Sequence, residues 1–229
     1  MKRIFSILLF SWSLAGLGAH SVSAQIQPSR QPVDSSGTQQ IDGVAARIED
    51  DIITESEVRE LSAFQQLVDG QPKSRAEVLR DLADQWLIRG EASTARYGQP
   101  SSADVDRAYN EFVKQFPSPK IFEQRCADAG LSGAAVRRMI QQQLYLARFI
   151  DYRFRPAAQV TDQQVADYYR DDFVPQLKAR KAEIPALDDV EDTIREVLIQ
   201  RAITDREEKW LDESRPRLRI DIVSKAGGS

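Results

Sequence analysis

Residues 43–60, GVAARIEDDIITESEVRE, decide the fold. Val44, Ala46 and Ile48 alternate with polar or small neighbours, the period of a half-buried strand. Glu49, Asp50 and Asp51 supply a turn, and Ile52 and Ile53 begin a return strand. Thr54 then stands as a helix N-cap with Glu57 three residues on, the pattern of a capping box. A small hairpin is therefore expected at the front of a chain that otherwise reads as helical.

Downstream, helical spacing dominates. A helix through Val58, Leu61 and Leu67 runs toward Gly70. Ser74 and Glu77 form a second capping box, and Val78, Leu79, Leu82, Trp86 and Leu87 share one face up to Gly98 and Pro100. SSADVDRAYNEFVKQF restarts from a serine cap and carries Val105, Tyr109, Phe112 and Phe116 as an aromatic stripe. A short helix from Ile121 closes at Gly130. A long one follows from Leu131–Ser132 to Pro156, with Val136, Met139, Ile140, Leu144, Leu146 and Phe149. Thr161 and Gln164 make a third box. VPQLKARKAEIPA reads as a poor connector, and a final helix covers residues 187–214.

After that helix, Leu218, Ile220 and Ile222 alternate with Arg217, Arg219 and Asp221, a second strand signal. A two-stranded hairpin is marginal alone, and a third strand with helical backing makes it viable. Residues 217–223 are therefore expected to pair with the 43–53 hairpin, so that both chain ends close one domain over residues 41–229. The expected fold class is mainly α with a small antiparallel sheet.

The start of the chain has a different character. Lys2 and Arg3 precede the apolar run IFSILLFSWSLAGLGA, and Val22, Ser23 and Ala24 end it before Gln25. This is the pattern of a cleaved secretory signal over residues 1–24; a retained anchor is the competing reading. The apolar run is short for a bilayer span, so no stable membrane insertion is expected after cleavage. Residues 25–40, rich in Gln, Ser and Pro, read as a flexible leader. The periplasm, or export otherwise, is the expected destination.

Composition excludes several function classes. With 31 basic and 35 acidic residues the chain is mildly acidic, which argues against nucleic acid as a partner. The single histidine is His20, inside the expected signal, so the mature chain lacks imidazole for acid–base work, a nucleophilic triad or ordinary zinc ligation. The single cysteine, Cys126, forbids an internal disulfide. It reads as a packed helix cysteine, with dimerisation through it as the alternative. The DD pairs at 50–51, 171–172 and 188–189 read as turns or solvated faces, since no spaced set of oxygen ligands surrounds them. No phosphate loop or dinucleotide fingerprint is present. No cofactor, no metal and no enzymatic activity are expected.

The order of these features resembles the SurA-type periplasmic chaperones, a family related to the PrsA foldases. VAARIEDDIITESEV resembles the family's opening strands and helix, EVLRDLADQWLI the helix that follows, and GLSGAAVRRMIQQQLYLARFIDYRFRP its long central helix. VTDQQVADYYRDDF and KWLDESRPRLRIDI complete a collinear match over residues 41–173 and 186–223. In the family a parvulin prolyl isomerase domain stands between the last two segments; here only VPQLKARKAEIPA does. The resemblance implies a helical bundle that acts as an ATP-independent holdase for unfolded outer-membrane or secreted proteins, without isomerase activity. A non-catalytic envelope scaffold binding one folded partner is the alternative, and a homodimer is open. Clients would meet aromatic side chains, which bury much area on many partners: Phe112, Phe116, Phe122, Tyr145, Phe149, Tyr152, Phe154, Tyr168, Tyr169 and Phe173. For any one of these a place in the core is the competing assignment.

Overall fold

A computed structural model describes residues 42–223. The expected signal and leader, and with them His20, lie outside the described residues. From Val44 onward the chain forms one compact unit. The hairpin is present as β1 (Val44–Ile48) and β2 (Asp51–Thr54), joined by a turn in which Glu49 adopts a φ of 50°. Eight α-helices follow: α1 (Glu55–Asp69), α2 (Arg75–Thr94), α3 (Ser102–Lys114), α4 (Pro119–Asp128), α5 (Gly133–Phe154), α6 (Asp162–Tyr168), α7 (Val174–Ala179) and α8 (Leu187–Ser214). The last element is β3 (Ile220–Ile222).

All three capping boxes form. Thr54, Ser74 and Thr161 each accept from the backbone N–H three residues on, and Glu57, Glu77 and Gln164 each return the bond to the cap backbone. Each box satisfies two helix-end donors that would otherwise lack partners. Gly70 closes α1 at a φ of 73°, where an L side chain would be strained.

β3 pairs antiparallel with β1, giving the sheet order β2-β1-β3. Ala46 faces Ile222, Arg47 faces Asp221 and Ile48 faces Ile220. The two ends of the described chain therefore meet, as the alternation at both ends predicts. The strand is shorter than the expected 217–223, because Arg215–Arg217 form a 3-10 turn that swings the chain out of α8.

A second difference lies in VPQLKARKAEIPA. Its first half is not a connector: α6 runs through a π-helical turn, Tyr169–Phe173, directly into α7. Pro175 directly follows the π-helical turn, and having no N–H it interrupts the helical hydrogen-bond ladder there. Tyr169 stacks on Phe173 and donates its hydroxyl to the Pro185 carbonyl at 2.7 Å, folding the segment back toward α8.

Three apolar clusters hold the fold. Ala46, Ile48 and Ile53 of the sheet pack on Val58 and Leu61 of α1 and Val78, Leu79 and Leu82 of α2. Phe64, Phe112, Phe122, Cys126 and Val136 form the second, between α1, α3, α4 and the first half of α5. Ile88, Tyr145, Leu146, Phe149, Ile203 and Leu211 form the third, between α2, α8 and the second half of α5. At 22 residues α5 is about 33 Å long, and one stripe along it serves two clusters in turn. Cys126 is buried in the second.

Candidate functional site

The last turn of α2 builds the groove that the aromatic residues border. Tyr97 N–H donates to the Ala92 carbonyl and Arg96 N–H to the Ser93 carbonyl, both at 2.9 Å. This is the bonding of a Schellman close, with Arg96 at the left-handed position and a φ of 52°. Glycine normally holds that position, and a side chain there costs about 1 kcal/mol. The sharp reversal turns Tyr97 back against α5.

Tyr97 then becomes the hub of an aromatic cluster. Its ring centroid lies 6.0 Å from Tyr145, 5.6 Å from Phe149 and 5.2 Å from Tyr152. Its hydroxyl donates to the Arg148 carbonyl at 3.2 Å, fixing the ring across α5. Tyr145 and Phe149 are core residues, whereas Tyr152, against the rings of Tyr97 and Phe149, is 61% exposed. A ring held from below by two others and open above is a preformed apolar shelf.

Beside the shelf lies an open groove lined by Arg89, Ser93, Arg96, Tyr97, Gln99 and Tyr145. Among the described residues neither Arg89 nor Arg96 pairs with a carboxylate. Arginines of the facing α5 do: Arg148 binds Asp104 at 2.9 Å, and Arg153 binds Glu91 at 2.5 Å. The groove thus offers tyrosine faces, two uncommitted guanidinium groups, a hydroxyl and an amide. Such a set places apolar ring faces beside hydrogen-bond donors.

The ten expected aromatic residues divide by place. Tyr145, Phe149 and Tyr152 come together around Tyr97. Phe112, Phe116 and Phe122 meet edge-on in the second cluster, joined by Phe64 and Tyr109. Phe154 packs on Trp210 with Arg153 over both rings. Tyr168 lies under the Arg201 guanidinium, 4.6 Å away. Tyr169 and Phe173 close the π-helical turn. Phe112, Phe122, Tyr145 and Phe149 are buried, because helical apolar stripes face inward when a core is there to receive them; of these four, Tyr145 also lines the groove. Phe116, Phe154, Tyr168, Tyr169 and Phe173 are half-buried. Tyr152 alone of the ten is broadly open.

A second group of unusual residues lies inside, where α8 returns to α2. Asp81 accepts from Gln65 at 2.7 Å and from Lys73 at 2.8 Å. Asp84 receives both arms of Arg215, at 2.6 and 2.8 Å. Burial pushes the Asp84 carboxyl above its ordinary value despite that cation, and Asp84 in turn raises Arg215. Glu207 is buried without a hydrogen-bond donor of its own among the described residues, and desolvation, with Asp84 and Glu208 nearby, pushes it up to about 7. A carboxyl that titrates near neutrality is suited to proton transfer, but Glu207 is an interior residue and does not line the groove. Its setting belongs to the closure of α8 on α2.

No group of three or more His, Cys, Asp or Glu side chains among the described residues is placed to hold a metal ion. No helix among them is long and apolar enough to cross a membrane. No family model matches the chain, and no curated protein matches it.

Proposed function

We propose that this protein is an ATP-independent holdase of the cell envelope, exported by its N-terminal signal, that binds extended stretches of unfolded outer-membrane or secreted proteins. The collinear resemblance to the SurA-type chaperones supports this. So does the mainly helical fold with its small sheet, whose form agrees with that resemblance. The observation that carries it is the exposed Tyr152, seated on the Tyr97–Phe149 pair beside a groove whose Arg89 and Arg96 meet no carboxylate among the described residues. Binding is weak and reversible, since a single open shelf buries little area per client. Catalysis plays no part in this reading, and between the segments that flank a parvulin domain in the resembled family only VPQLKARKAEIPA, residues 174–186, stands here.

The test is fluorescence anisotropy of a labelled, extended, aromatic-rich peptide from an outer-membrane barrel strand. Tyr152→Ala is expected to weaken binding about fivefold, a typical loss for an aromatic contact at an open site. The melting temperature should not change. Equal affinity of the variant and the parent would remove the groove from the binding surface.

A further inference from the structure

The free edge of the sheet has a defined polarity. The Val223 N–H donates to the Ala45 carbonyl, and the Glu49 N–H donates to the Arg219 carbonyl, both at 3.0 Å. Arg219 and Val223 thus stand at hydrogen-bonded positions of the β1–β3 ladder, and so does Asp221 between them. Ile220 and Ile222 stand at the alternate positions, so their N–H and C=O groups point away from β1. In the order β2-β1-β3 that direction is an open edge among the described residues.

This edge is short and carries Arg219 and Asp221, but two other usual protections are missing. Residues 218–223, LRIDIV, hold no proline and no lysine. Ile220 is 37% exposed and Ile222 59%, although both share a face with the fully buried Ala46 and Ile48. Beyond β1 the helices no longer cover that face. An unpaired, apolar edge of this kind is a template for another strand.

The charges on the edge choose the strand. In an antiparallel pairing of β3 with a second β3, the outward-facing Ile220 and Ile222 must supply the hydrogen bonds. Centred on Ile220, that pairing sets Ile220 against Ile220 and Leu218 against Ile222. It also sets Arg219 of each copy directly opposite Asp221 of the other, twice over by the two-fold symmetry. Shifted by one pair, it sets Asp221 against Asp221, which is repulsive. The sequence RID at 219–221 is therefore self-complementary in one register. We propose that β3 is the contact strand of a homodimer, in which two sheets join antiparallel about Ile220 into one six-stranded sheet. The closed two-fold pairing uses up both β3 edges, so no β3 is left to recruit a third copy.

Sedimentation velocity of the full chain, over a micromolar to submillimolar range, tests this. The parent is expected to show a monomer–dimer equilibrium. Ile222→Pro removes an outward N–H without touching the β1–β3 ladder and is expected to abolish the dimer at an unchanged melting temperature. Arg219→Asp and Asp221→Arg should each weaken self-association roughly tenfold, each losing two charge pairs. An equimolar mixture of those two variants should regain the parent's association, because each charge again meets its opposite. Loss of Asp221 facing Arg47 within one chain cannot mimic that recovery. A parent that stays monomeric overturns the proposal, as does a mixture that fails to recover. A monomeric parent in which an added extended peptide protects the Ile220 and Ile222 amides would assign the edge to clients instead.

Discussion

Asp84 and Arg215, 131 residues apart in the chain, meet in a two-armed ion pair at 2.6 and 2.8 Å. The pair fastens the end of α8 to the middle of α2. From there the 3-10 turn at Arg215–Arg217 delivers β3 to β1. The closure of both ends of the described chain thus depends on one half-buried cation as well as on strand pairing.

Arg215→Ala leaves the Asp84 carboxylate in the interior without its partner. Removing one member of a buried pair costs about 3–5 kcal/mol; Arg215 is partly open to solvent, so about 3 kcal/mol is expected at neutral pH. The cost shrinks in acid, where Asp84, already raised by burial, takes up a proton. Urea unfolding of the variant at pH 7 and pH 4.5 measures both values.

Glu207 imposes a pH dependence of its own. Its folded-state value, about 7 against an ordinary 4.5, lies above the unfolded one. The folded state therefore binds the extra proton between those two pH values, and stability falls as pH rises through that window. Glu207→Gln is expected to flatten this slope and to stabilise the protein at pH 8 by an amount of order 3 kcal/mol at most. The melting temperatures of variant and parent should converge near pH 4.5. A stability curve unchanged by the substitution would place the Glu207 carboxyl in water.

Deleting residues 216–229 removes β3, exposes the Ala45 carbonyl and the Glu49 N–H, and uncovers the apolar cluster that Leu218 packs against. With about 1 kcal/mol per hydrogen bond plus the lost packing, the whole protein is expected to melt at least several degrees lower in one transition. An unchanged melting curve would show that the sheet does not need its third strand.

Arg96→Gly separates stability from binding. Glycine relieves the left-handed strain at the end of α2 and should stabilise the fold by about 1 kcal/mol. It also removes a guanidinium group from the groove, so peptide affinity should fall at the same time. Thermal melts and anisotropy on the same sample read both.

Much of this architecture was legible from local chemistry. The boxes at Thr54–Glu57, Ser74–Glu77 and Thr161–Gln164 mark helix starts because they satisfy backbone donors within four residues. The alternation of Val44, Ala46, Ile48 and of Leu218, Ile220, Ile222 marks two strands with no other partner in the chain. Features set by tertiary contact were not legible. Tyr97 lies past the helical stripe of α2 and joins Tyr145, Phe149 and Tyr152 only through the reversal at Arg96. A non-glycine residue at positive φ gives no sequence signal there. The burial of Asp81, Asp84 and Glu207 is equally hidden, since acids on a helix normally face water. The division of the aromatic residues into core and shelf depends on where α5 meets its neighbours. Periodicity places Phe149 and Tyr152 on one helix without saying which of them is covered.

A prolyl isomerase assay on a proline-containing peptide is expected to stay at background, since VPQLKARKAEIPA forms only α7 and a short return to α8. Activity above background would sink the account of the missing domain.

Aggregation of an unfolded outer-membrane barrel protein, followed by light scattering without ATP, tests the central claim most directly. Stoichiometric parent protein is expected to suppress the scattering, and Tyr152→Ala to suppress it less at equal stability. Undiminished aggregation, with copurification of one folded partner at fixed stoichiometry, would contradict the holdase and identify an envelope scaffold.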